Sequence, residues 1–561
     1  MSHALFLDEL ISTLGAEVAQ RGDDVPARYH TDWSGTPPQR PLALVRPRST
    51  DEVSALMRLC TAHRVPVVPQ GGLTGLAGAA VPVPGAVAVS MERMNAIEDV
   101  NARTALMTVQ AGATLQAVQE AAVAAGMVFG VDLGARGSCQ IGGNISTNAG
   151  GNGVLQHGMM REQVLGPMLK NNTGYDLKQF FIGSEGTLGI VTRVLLRLRP
   201  APQARATALV AVPDFDAALS VLARMQSRFG NGVAAFELMW DSFIQASIRW
   251  QKLQPPFGQA HALLALIDVD GKDEATLRAD VEEALGEAME AGEVADAVIA
   301  QSVAQARQLW KLREAPAELN TNMHPPVNFD VSLPQADIGR FADACRAAFD
   351  ARWPGHHSLF FGHVGDGNLH VSVDGATANG DCEGVEAALY HLVGEFGGSV
   401  SAEHGIGLHK KPYLGASRTP AELAVMRAIK QALDPLHLFN PGKKCRRCRR
   451  TTQACPPRPC GRATASPRSR GWRATRTPLA PALPWPAPWP TWPCMWAPIP
   501  MRNARRCARP SQRAPACRPR PLPWATAPRT SCRCSARRFS RPATACSPSA
   551  RPSACTRSTR A

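Results

Sequence analysis

Cysteine is scarce in the first 444 residues of this 561-residue chain. These residues hold four of the 15 cysteines, at positions 60, 139, 345 and 382. Cysteines so few and so widely spaced cannot form the dense disulfide network that holds small secreted domains together. The sequence therefore excludes a disulfide scaffold and is typical of a reducing compartment. We expect a cytoplasmic protein, with a peripheral position at the inner face of a membrane as the alternative.

Residues 445–561 lack lysine, aspartate and glutamate altogether. They contain 25 arginines, 22 of the 46 prolines and 11 of the 15 cysteines. The net charge of +15 therefore divides into +25 in this tail and −10 in residues 1–444, which hold 36 basic and 46 acidic residues. No hydrophobic period runs through the tail, so burial cannot offset the entropy of ordering it. We predict a disordered tail and interpret it as GC-rich coding sequence translated out of frame.

A basic RNA-binding arm is the functional alternative for the tail. Natural arms of that kind usually contain lysine and some acidic residues, which this tail lacks, so we expect no nucleic-acid partner. Cys445 and Cys448 form a CxxC pair, but no second pair with zinc-finger spacing follows.

We also expect neither a membrane span nor a signal peptide. Residues 479–500 are uncharged and long enough to cross a bilayer, but their eight prolines prevent a continuous helix. At the N-terminus, MSHALFLDELISTLG has acidic residues within its apolar stretch and no basic segment before it. We expect a short amphipathic helix there.

Glycine, in contrast, is concentrated in two segments. Residues 134–151, GARGSCQIGGNISTNAGG, contain six glycines and very few apolar residues. We therefore expect neither an amphipathic helix nor an ordinary strand, but backbone N–H groups open to a polar ligand such as a pyrophosphate. A pair of glycine turns in a surface loop is the alternative for this segment taken alone.

The other glycine segment follows a helix and a strand. Thr50 is the predicted N-cap of a helix that runs to about Arg64, and residues 65–68 form an apolar run typical of a buried strand. The loop PQGGLTGLAG then occupies positions 69–78. A Rossmann unit instead places GxGxxG directly before a helix. This order argues against NAD bound on a Rossmann domain.

Seven motifs in chain order resemble one family. They are PQGGLTGLAG (69–78), VQAGATL (109–115), GARGSCQIGGNISTNAGG (134–151), KNNTGYDLKQFFIGSEGTLGIVT (170–192), GHVGDGNLH (362–370), SAEHGIG (401–407) and DPLHLFNPGK (434–443). Together they resemble the FAD-linked 2-hydroxy-acid dehydrogenases, the family of D-2-hydroxyglutarate dehydrogenase, D-lactate dehydrogenase and the glycolate oxidase flavin subunit. The resemblance covers about residues 30–444. It implies an α+β protein with a p-cresol methylhydroxylase-type FAD-binding domain of two α+β subdomains and an α+β cap domain with an antiparallel sheet.

The resemblance also implies that the glycine segments bind FAD. The pyrophosphate would contact Gly71, Gly72, Thr74 and Gly75. The flavin and ribityl side would be lined by Gly137, Ser138, Gly142, Gly143, Asn144 and Ser146, and closed by Gly189, Ile190 and Val191. We expect non-covalent binding, because the glycine loops offer no histidine or cysteine that we can assign to a covalent link.

Two imidazoles and one carboxylate follow later in the chain, at His363, His370 and Glu403. Such a set can hold a metal ion on one side and leave positions open for substrate. In the family that the chain resembles, it holds a divalent metal, commonly zinc, which would bind the oxygens of a 2-hydroxy acid. His404 is the candidate general base, because imidazole titrates near neutral pH. The alternative is that these histidines are structural.

Arg313 is the candidate anchor for the substrate carboxylate. The segment LWKLRE (309–314) resembles the family's W-x-x-R-E helix, and guanidinium offers a planar two-pronged donor that stays charged. A solvated arginine beside Glu314 is the alternative. Relatives with a second cationic anchor carry lysine shortly before a D-x-S-x-P segment, where this chain has the neutral Asn328. Recognition of a second carboxylate is therefore an open question.

A second departure lies at Gly166-Pro167. Relatives place a pair of strands of about fifteen to twenty residues at this point, whereas here the flanking motifs are joined directly. A hairpin removed from a sheet leaves unpaired backbone, at a cost of about 1–3 kcal/mol for each buried orphan group. The gap is either a real variant or a sign of a damaged gene.

We predict four parts: a helical lead (1–37), the FAD-binding domain (38–200), the cap and C-terminal segment (201–444) and the tail (445–561). The leading hypothesis is a dehydrogenase that oxidises a small D-2-hydroxy acid by hydride transfer to flavin and passes electrons to a quinone, a cytochrome or an electron-transfer flavoprotein. An oxygen-using oxidase of the same fold and an inactive flavin-binding subunit are the alternatives. A homodimer is the possible assembly that we consider.

Overall fold

The computed structural model describes residues 3–168, 170–323, 326–374 and 380–443, and the predicted tail lies outside this part of the chain. The described residues form three main sheets with helices around them. No helix among them is long and apolar enough to cross a membrane. None of the four cysteines in this part of the chain forms a disulfide bond.

The first sheet has the order β1-β2-β4-β3, in which β4 pairs in parallel with both β2 and β3, and β1 is antiparallel to β2. Its strands are β1 (Ala19–Arg21), β2 (Ala43–Val45), β3 (Val67–Gln70) and β4 (Val87–Ser90). The helices α1 (His3–Leu14) and α2 (Thr50–His63) bury their apolar faces in the same core as these strands. The amphipathic helix predicted at the N-terminus is therefore present. The N-cap of α2 is Ser49 rather than Thr50, since the Ser49 side chain accepts the backbone N–H of Glu52.

The second sheet is antiparallel, with the order β5-β6-β9-β8. Its strands are β5 (Ile97–Asn101), β6 (Leu106–Gln110), β8 (Val164–Leu165) and β9 (Arg193–Arg197). The pair β7 (Met127–Val128) and β10 (Arg199–Pro200) and the helices α3 (Leu115–Ala124), α4 (Ile141–Thr147), α5 (Val154–His157) and α6 (Met160–Gln163) accompany it.

Helix α4 overturns one expectation from the sequence, since it lies inside the glycine-rich run where we predict no helix. Ile141 and Ile145 are four residues apart, so both lie on the same side of α4, and both are buried. A Cβ atom at Gly142 would lie 2.8 Å from the Cβ of Ala111, so glycine lets the helix approach the neighbouring backbone closely. Two isoleucines are enough to anchor this short helix.

The gap at Gly166-Pro167 follows β8, a two-residue edge strand that pairs with Leu195 and Leu196 of β9. Large apolar side chains are exposed beyond it: Met168, Tyr175, Leu177 and Phe180. A missing hairpin would leave such a short edge and such exposed side chains, and it stays a prediction.

The cap contains a seven-stranded antiparallel sheet with the order β14-β11-β13-β12-β16-β17-β15. Its strands are β11 (Ala204–Val212), β12 (Val233–Trp240), β13 (Leu263–Gly271), β14 (Asp296–Ile299), β15 (Val327–Ser332), β16 (His357–Gly362) and β17 (Asn368–Asp374). The helices are α7 (Phe215–Phe229), α8 (Asp241–Gln251), α9 (Glu274–Glu290), α10 (Val303–Arg313), α11 (Leu319–Asn322), α12 (Ile338–Arg352), α13 (Cys382–Glu395) and α14 (Pro420–Leu433). The predicted α+β class with an antiparallel cap sheet is confirmed.

Both faces of the cap sheet are covered. One face packs against α7, α9, α12 and α13, and the other packs against α8, α10 and α11. Because side chains alternate along a strand, Phe236 and Leu238 belong to the first face, and Glu237 and Met239 belong to the second. The second face carries the polar groups described below.

After α14 the chain returns to the first sheet as a segment that we call the C-terminal strap, residues 434–443. The backbone N–H of Val67 donates to Leu438, and the N–H of Asn440 donates to Val67. The Asn440 amide also donates to the carbonyls of Ala79 (3.0 Å) and Glu185 (2.7 Å). The strap therefore holds the ends of two predicted FAD loops.

Candidate active site

The two glycine segments meet in the structure. A Cβ atom at Gly72 would overlap the carbonyl oxygen of Ser138, and one at Gly71 would lie 3.5 Å from the Cα of Gly143. At Gly72 only glycine permits such close approach of the two backbones, whereas the distance at Gly71 is an ordinary van der Waals contact. The predicted pyrophosphate loop and the predicted flavin loop therefore form one cradle.

Two buried glutamines border this cradle. The Gln70 amide nitrogen donates to the carbonyls of Tyr29 and Ala80, both at 2.9 Å, and so ties the two ends of the loop together. The carbonyl oxygens of the Gln70 and Gln140 side chains have no hydrogen-bond partner. Buried acceptors without a donor are rare in folded proteins. They fit a cradle that receives a ligand rich in N–H and O–H groups, as FAD is.

The other predicted FAD residues lie at different distances from this contact. Gly75 faces Asp32, and Gly137 faces Gln116 of α3. Within α4 the Ser146 hydroxyl donates to the carbonyl of Gly142. The Asn144 amide contacts the sulfur of Cys139.

The last predicted group, residues 189–191, packs into the domain cores. A Cβ atom at Gly189 would lie 2.9 Å from the Phe181 ring. Ile190 packs against the core of the first sheet, and Val191 packs against the cores of both FAD-domain sheets. These contacts give the three residues a structural role in addition to the predicted one.

The three candidate metal ligands come together. His363 follows β16, His370 lies on β17, and Glu403 lies in the SAEHGIG loop. One ligand atom from each lies within 4.8 Å of the others. Such a cluster can hold a divalent ion with room left for substrate oxygens.

A second possible ligand group consists of Asp330, His370 and His404. The Asp330 carboxylate, however, already accepts several hydrogen bonds. They come from the backbone N–H groups of Glu403 and His404, the Lys410 ammonium, the Asn368 amide and the Ser401 hydroxyl. These donors mark Asp330 as the anchor of the loop that carries Glu403. The group with His363 and Glu403 is therefore the better metal site.

Glu403 also connects this cluster to the glycine-rich run. Its Oε1 accepts the backbone N–H of Gly151 at 2.6 Å. Nearby, the Glu185 carboxylate accepts the N–H groups of Ile406 (2.8 Å) and Gly407 (2.7 Å). The predicted flavin loop and the predicted metal ligands are thus held against each other.

Arg313 is buried at the end of α10, which excludes the solvated arginine considered from the sequence. Its Nε donates to Oε2 of Glu237 at 2.7 Å, and its Nη2 lies 3.3 Å from Nε2 of His363. Its guanidinium lies over the Phe361 ring, 4.9 Å from the centroid. Arg313 is therefore beside the metal cluster.

His404 lies next to the cluster and is partly buried. Its ring stacks on that of His370 at a centroid distance of 5.9 Å. Its Nδ1 is 3.8 Å from Oδ2 of Asp330. The candidate base thus has a carboxylate on one side and a candidate metal ligand on the other.

Burial and neighbouring charges set the protonation states of Glu237, His363 and His370. Burial opposes ionisation of Glu237, but His363 and Arg313 outweigh it and lower the pKa of Glu237 to about 2. Burial also opposes protonation of His363, but Glu237 raises the pKa of His363 to about 9, so a metal binding at Nε2 would have to displace the proton there. Burial, with positive neighbours, holds the pKa of His370 well below its usual value. The neutral His370 imidazole has a lone pair available for a metal.

The sequence analysis missed three buried acids of the site: Glu185, Glu237 and Asp330. A usable signal existed for two of them. Glu237 is the only charged residue of β12, VAAFELMW, and Asp330 is the only one of β15, VNFDVS. An acid in an otherwise apolar strand must be paired when it is buried, and it therefore marks a position with a specific partner.

Comparisons with known proteins agree with this arrangement. A family profile described as "FAD binding domain" matches residues 41–175, and one described as "FAD linked oxidases, C-terminal domain" matches residues 201–444. Among solved structures, p-cresol methylhydroxylase is similar with a TM-score of 0.61 and 14% identity, over 79% of this chain and 96% of that one. An alkyldihydroxyacetonephosphate synthase is similar with a TM-score of 0.59 and 17% identity, over 79% of this chain and 85% of that one. The fold and the paired glycine loops define a flavoprotein of the p-cresol methylhydroxylase type.

Curated relatives narrow the class. A D-2-hydroxyglutarate dehydrogenase of Xanthomonas citri pv. viticola is 41% identical over 436 residues, which cover 74% of this chain and 91% of the relative. A mitochondrial D-2-hydroxyglutarate dehydrogenase of Arabidopsis thaliana is 34% identical over 431 residues, covering 74% of this chain and 77% of the relative. The chain belongs to the family of FAD-linked 2-hydroxy-acid dehydrogenases, which are oxidoreductases, as its motifs predict.

Proposed function

We propose that this protein oxidises a D-2-hydroxy acid to the 2-oxo acid with FAD and a divalent metal, zinc being the first candidate. One observation carries the proposal. Glu403 contacts Gly151 of the glycine-rich run and lies within 4.8 Å of the ligand atoms of His363 and His370. A substrate bound at the metal ligands would therefore lie beside the flavin loop.

When bound, FAD supplies an acceptor for the Cα hydride, and the metal supplies a Lewis acid for the substrate oxygens. The chain's own residues bind the substrate, accept its proton and hold the cofactor. Arg313 binds the substrate carboxylate through the guanidinium edge that faces away from Glu237. His404 accepts the proton of the substrate hydroxyl. Gly71 and Gly72 hold the pyrophosphate through their backbone N–H groups.

The names of the relatives make D-2-hydroxyglutarate the first substrate to test. D-lactate and glycolate are the monocarboxylate comparisons, because Asn328 provides no charge for a second carboxylate. Asn328 pairs with Ser372 across β15 and β17, and their side chains share a 2.7 Å hydrogen bond. The electron acceptor, the cytoplasmic location and the homodimer stay predictions.

The test combines measurements of FAD and metal content with rapid kinetics of flavin bleaching. Purified protein should be yellow and should release FAD on heating, and anaerobic mixing with D-2-hydroxyglutarate should bleach the flavin. Alanine at His363, His370 or Glu403 should lower metal content and abolish bleaching while FAD stays bound. The control is His391→Ala, an exposed histidine on α13. Full metal content and activity in His363→Ala would contradict the metal site.

Two further outcomes separate the alternatives. Peroxide formed in air in proportion to the substrate consumed would identify an oxidase. Protein that stays colourless after reconstitution with FAD would favour an inactive chain, as expected if the gap at Gly166-Pro167 destroys the flavin pocket.

A further inference from the structure

Glu237 lies in the centre of the cap sheet, with its side chain buried. Its Oε1 lies 2.5 Å from Nδ1 of His363, and its Oε2 lies 2.7 Å from Nε of Arg313. Each oxygen thus serves a different residue of the proposed site. The other side chains of β12 are uncharged, so the strand itself has no need of an acid.

The contact with His363 determines which nitrogen can face a metal. Because Nδ1 donates its proton to Glu237, Nε2 is the atom left for the cluster formed with His370 and Glu403. A carboxylate behind a ligating histidine fixes both the tautomer and the ring orientation. Glu237 occupies that position.

The contact with Arg313 determines how its guanidinium is presented. Nε is occupied by Glu237, and the flat face lies over the Phe361 ring. The Nη1 and Nη2 edge is then the edge available to a carboxylate, and Nη2 is already close to Nε2 of His363 at 3.3 Å. One acid therefore aims both groups at the same small volume.

Stability alone does not account for this arrangement. Removing charged groups from water is costly, and apolar replacements of a whole buried ionic group are often equally stable or more stable. A carboxylate shared between two functional groups is explained if it serves their geometry.

We infer that Glu237 is a positioning residue that sets, at once, the metal-binding nitrogen of His363 and the carboxylate-binding edge of Arg313. This inference rests on the proposed function. It predicts that metal binding and acid binding fail together when Glu237 is changed, although Glu237 touches neither ligand.

The experiment measures zinc retention (the metal arm) and oxalate binding (the oxalate arm) separately. Both measurements use purified protein with FAD bound. Metal retention is measured by competition with a chelator for added Zn²⁺. Acid binding is measured by titrating oxalate into metal-stripped protein and following the flavin absorbance. Glu237→Gln should weaken both by about 10–100-fold, the range typical of groups that orient metal ligands. His363→Ala should weaken mainly the metal arm, and Arg313→Ala mainly the oxalate arm.

The matched control is Glu92→Gln. Glu92 also bridges partners, namely Arg28, Arg46 and the Tyr29 hydroxyl, but it lies in the first sheet's region of the FAD domain. This variant should leave both arms at the wild-type value. Wild-type values of both arms in Glu237→Gln, or a lower melting temperature with both arms unchanged, would overturn the inference.

A second variant covers the case in which Glu237→Gln does not fold. Glu237→Asp keeps the charge but withdraws it by one methylene, so it should fold and still weaken both arms. Wild-type values in Glu237→Asp would equally overturn the inference. If the wild type itself retains no Zn²⁺, the metal part of the proposed function fails. A zinc-binding wild type with an unaffected Glu237→Gln contradicts the Glu237 inference alone.

Discussion

Asp330 is a single buried side chain on which the geometry of a whole loop depends. It accepts the backbone N–H groups of Glu403 and His404 and the Lys410 ammonium, with which it forms a buried ion pair. Burial opposes its ionisation, but His404 and Lys410 hold the pKa of Asp330 well below its usual value. The loop is therefore built around a carboxylate that stays charged.

We expect Asp330→Asn to lower the free energy of unfolding by about 3–5 kcal/mol, because it leaves Lys410 as a buried charge without its counterion. Urea denaturation at neutral pH measures the loss. Asp99→Asn, a change at an exposed position of β5, should stay within about 0.5 kcal/mol of the wild type. A loss below about 1 kcal/mol in Asp330→Asn would show that the loop does not depend on this charge.

His157 makes the folding stability of the protein depend on pH in the acid range. Burial, with a contribution from Arg199, lowers the pKa of His157 to about 4. The unfolded chain, with a pKa near 6.5, therefore binds a proton between pH 6.5 and 4 that the folded protein does not bind. Stability must fall as the pH drops through this window.

We expect the melting temperature to fall less between pH 7 and pH 5 in His157→Gln than in the wild type, because glutamine does not titrate. Calorimetry at closely spaced pH values measures this slope. An identical slope in the two proteins would mean that His157 does not contribute to the acid response.

At the scale of elements, the C-terminal strap (residues 434–443) connects the segment after α14 to the predicted FAD loops. Asn440 has a left-handed backbone conformation (φ 40°) and donates to the carbonyls of Ala79 and Glu185. We expect Asn440→Asp to weaken FAD binding about 10-fold or more, since it places acceptors against two carbonyls at a cost of about 1–3 kcal/mol. Flavin fluorescence measures the dissociation constant. Asn231→Asp, on an exposed turn of the cap, should bind FAD like the wild type.

The sequence predicts elements well where local signals are strong. The helix after Ser49 and the strand before the first glycine loop are found within one or two residues of their predicted positions. Helix α4 is missed because its helical conformation depends on packing against Ala111, which the local sequence does not reveal.

The candidate site likewise has residues that the sequence predicts and residues that it does not predict. His363, His370, Glu403 and Arg313 come from motifs, and the structure brings them together. The partners Glu237, Asp330 and Glu185 come from other strands and loops. Their roles depend on pairing across the sheet and between the domains, which a single sequence does not specify.

At the scale of the whole molecule, the described chain is acidic and the tail is basic. Residues 1–444 carry a net charge of −10, whereas the full chain carries +15. The family profiles and the predicted motifs end by residue 444, and the contacts of the strap end at Lys443, whose ammonium donates to Val81. Everything that the proposed function requires thus precedes the tail.

A chain that ends at Lys444 should therefore keep its FAD content and its melting temperature, because the tail has no apolar pattern that could add to a core. The reversal of net charge should move the protein from a cation exchanger to an anion exchanger at pH 7. A chain that ends at Leu433 is the control, since it also loses the strap and should lose FAD. Loss of flavin in the first truncation would contradict the out-of-frame interpretation.

Salt-dependent RNA binding by the full chain alone would favour the basic arm. Resequencing the gene around codons 166 and 443 tests directly both the gap at Gly166-Pro167 and the out-of-frame interpretation of the tail.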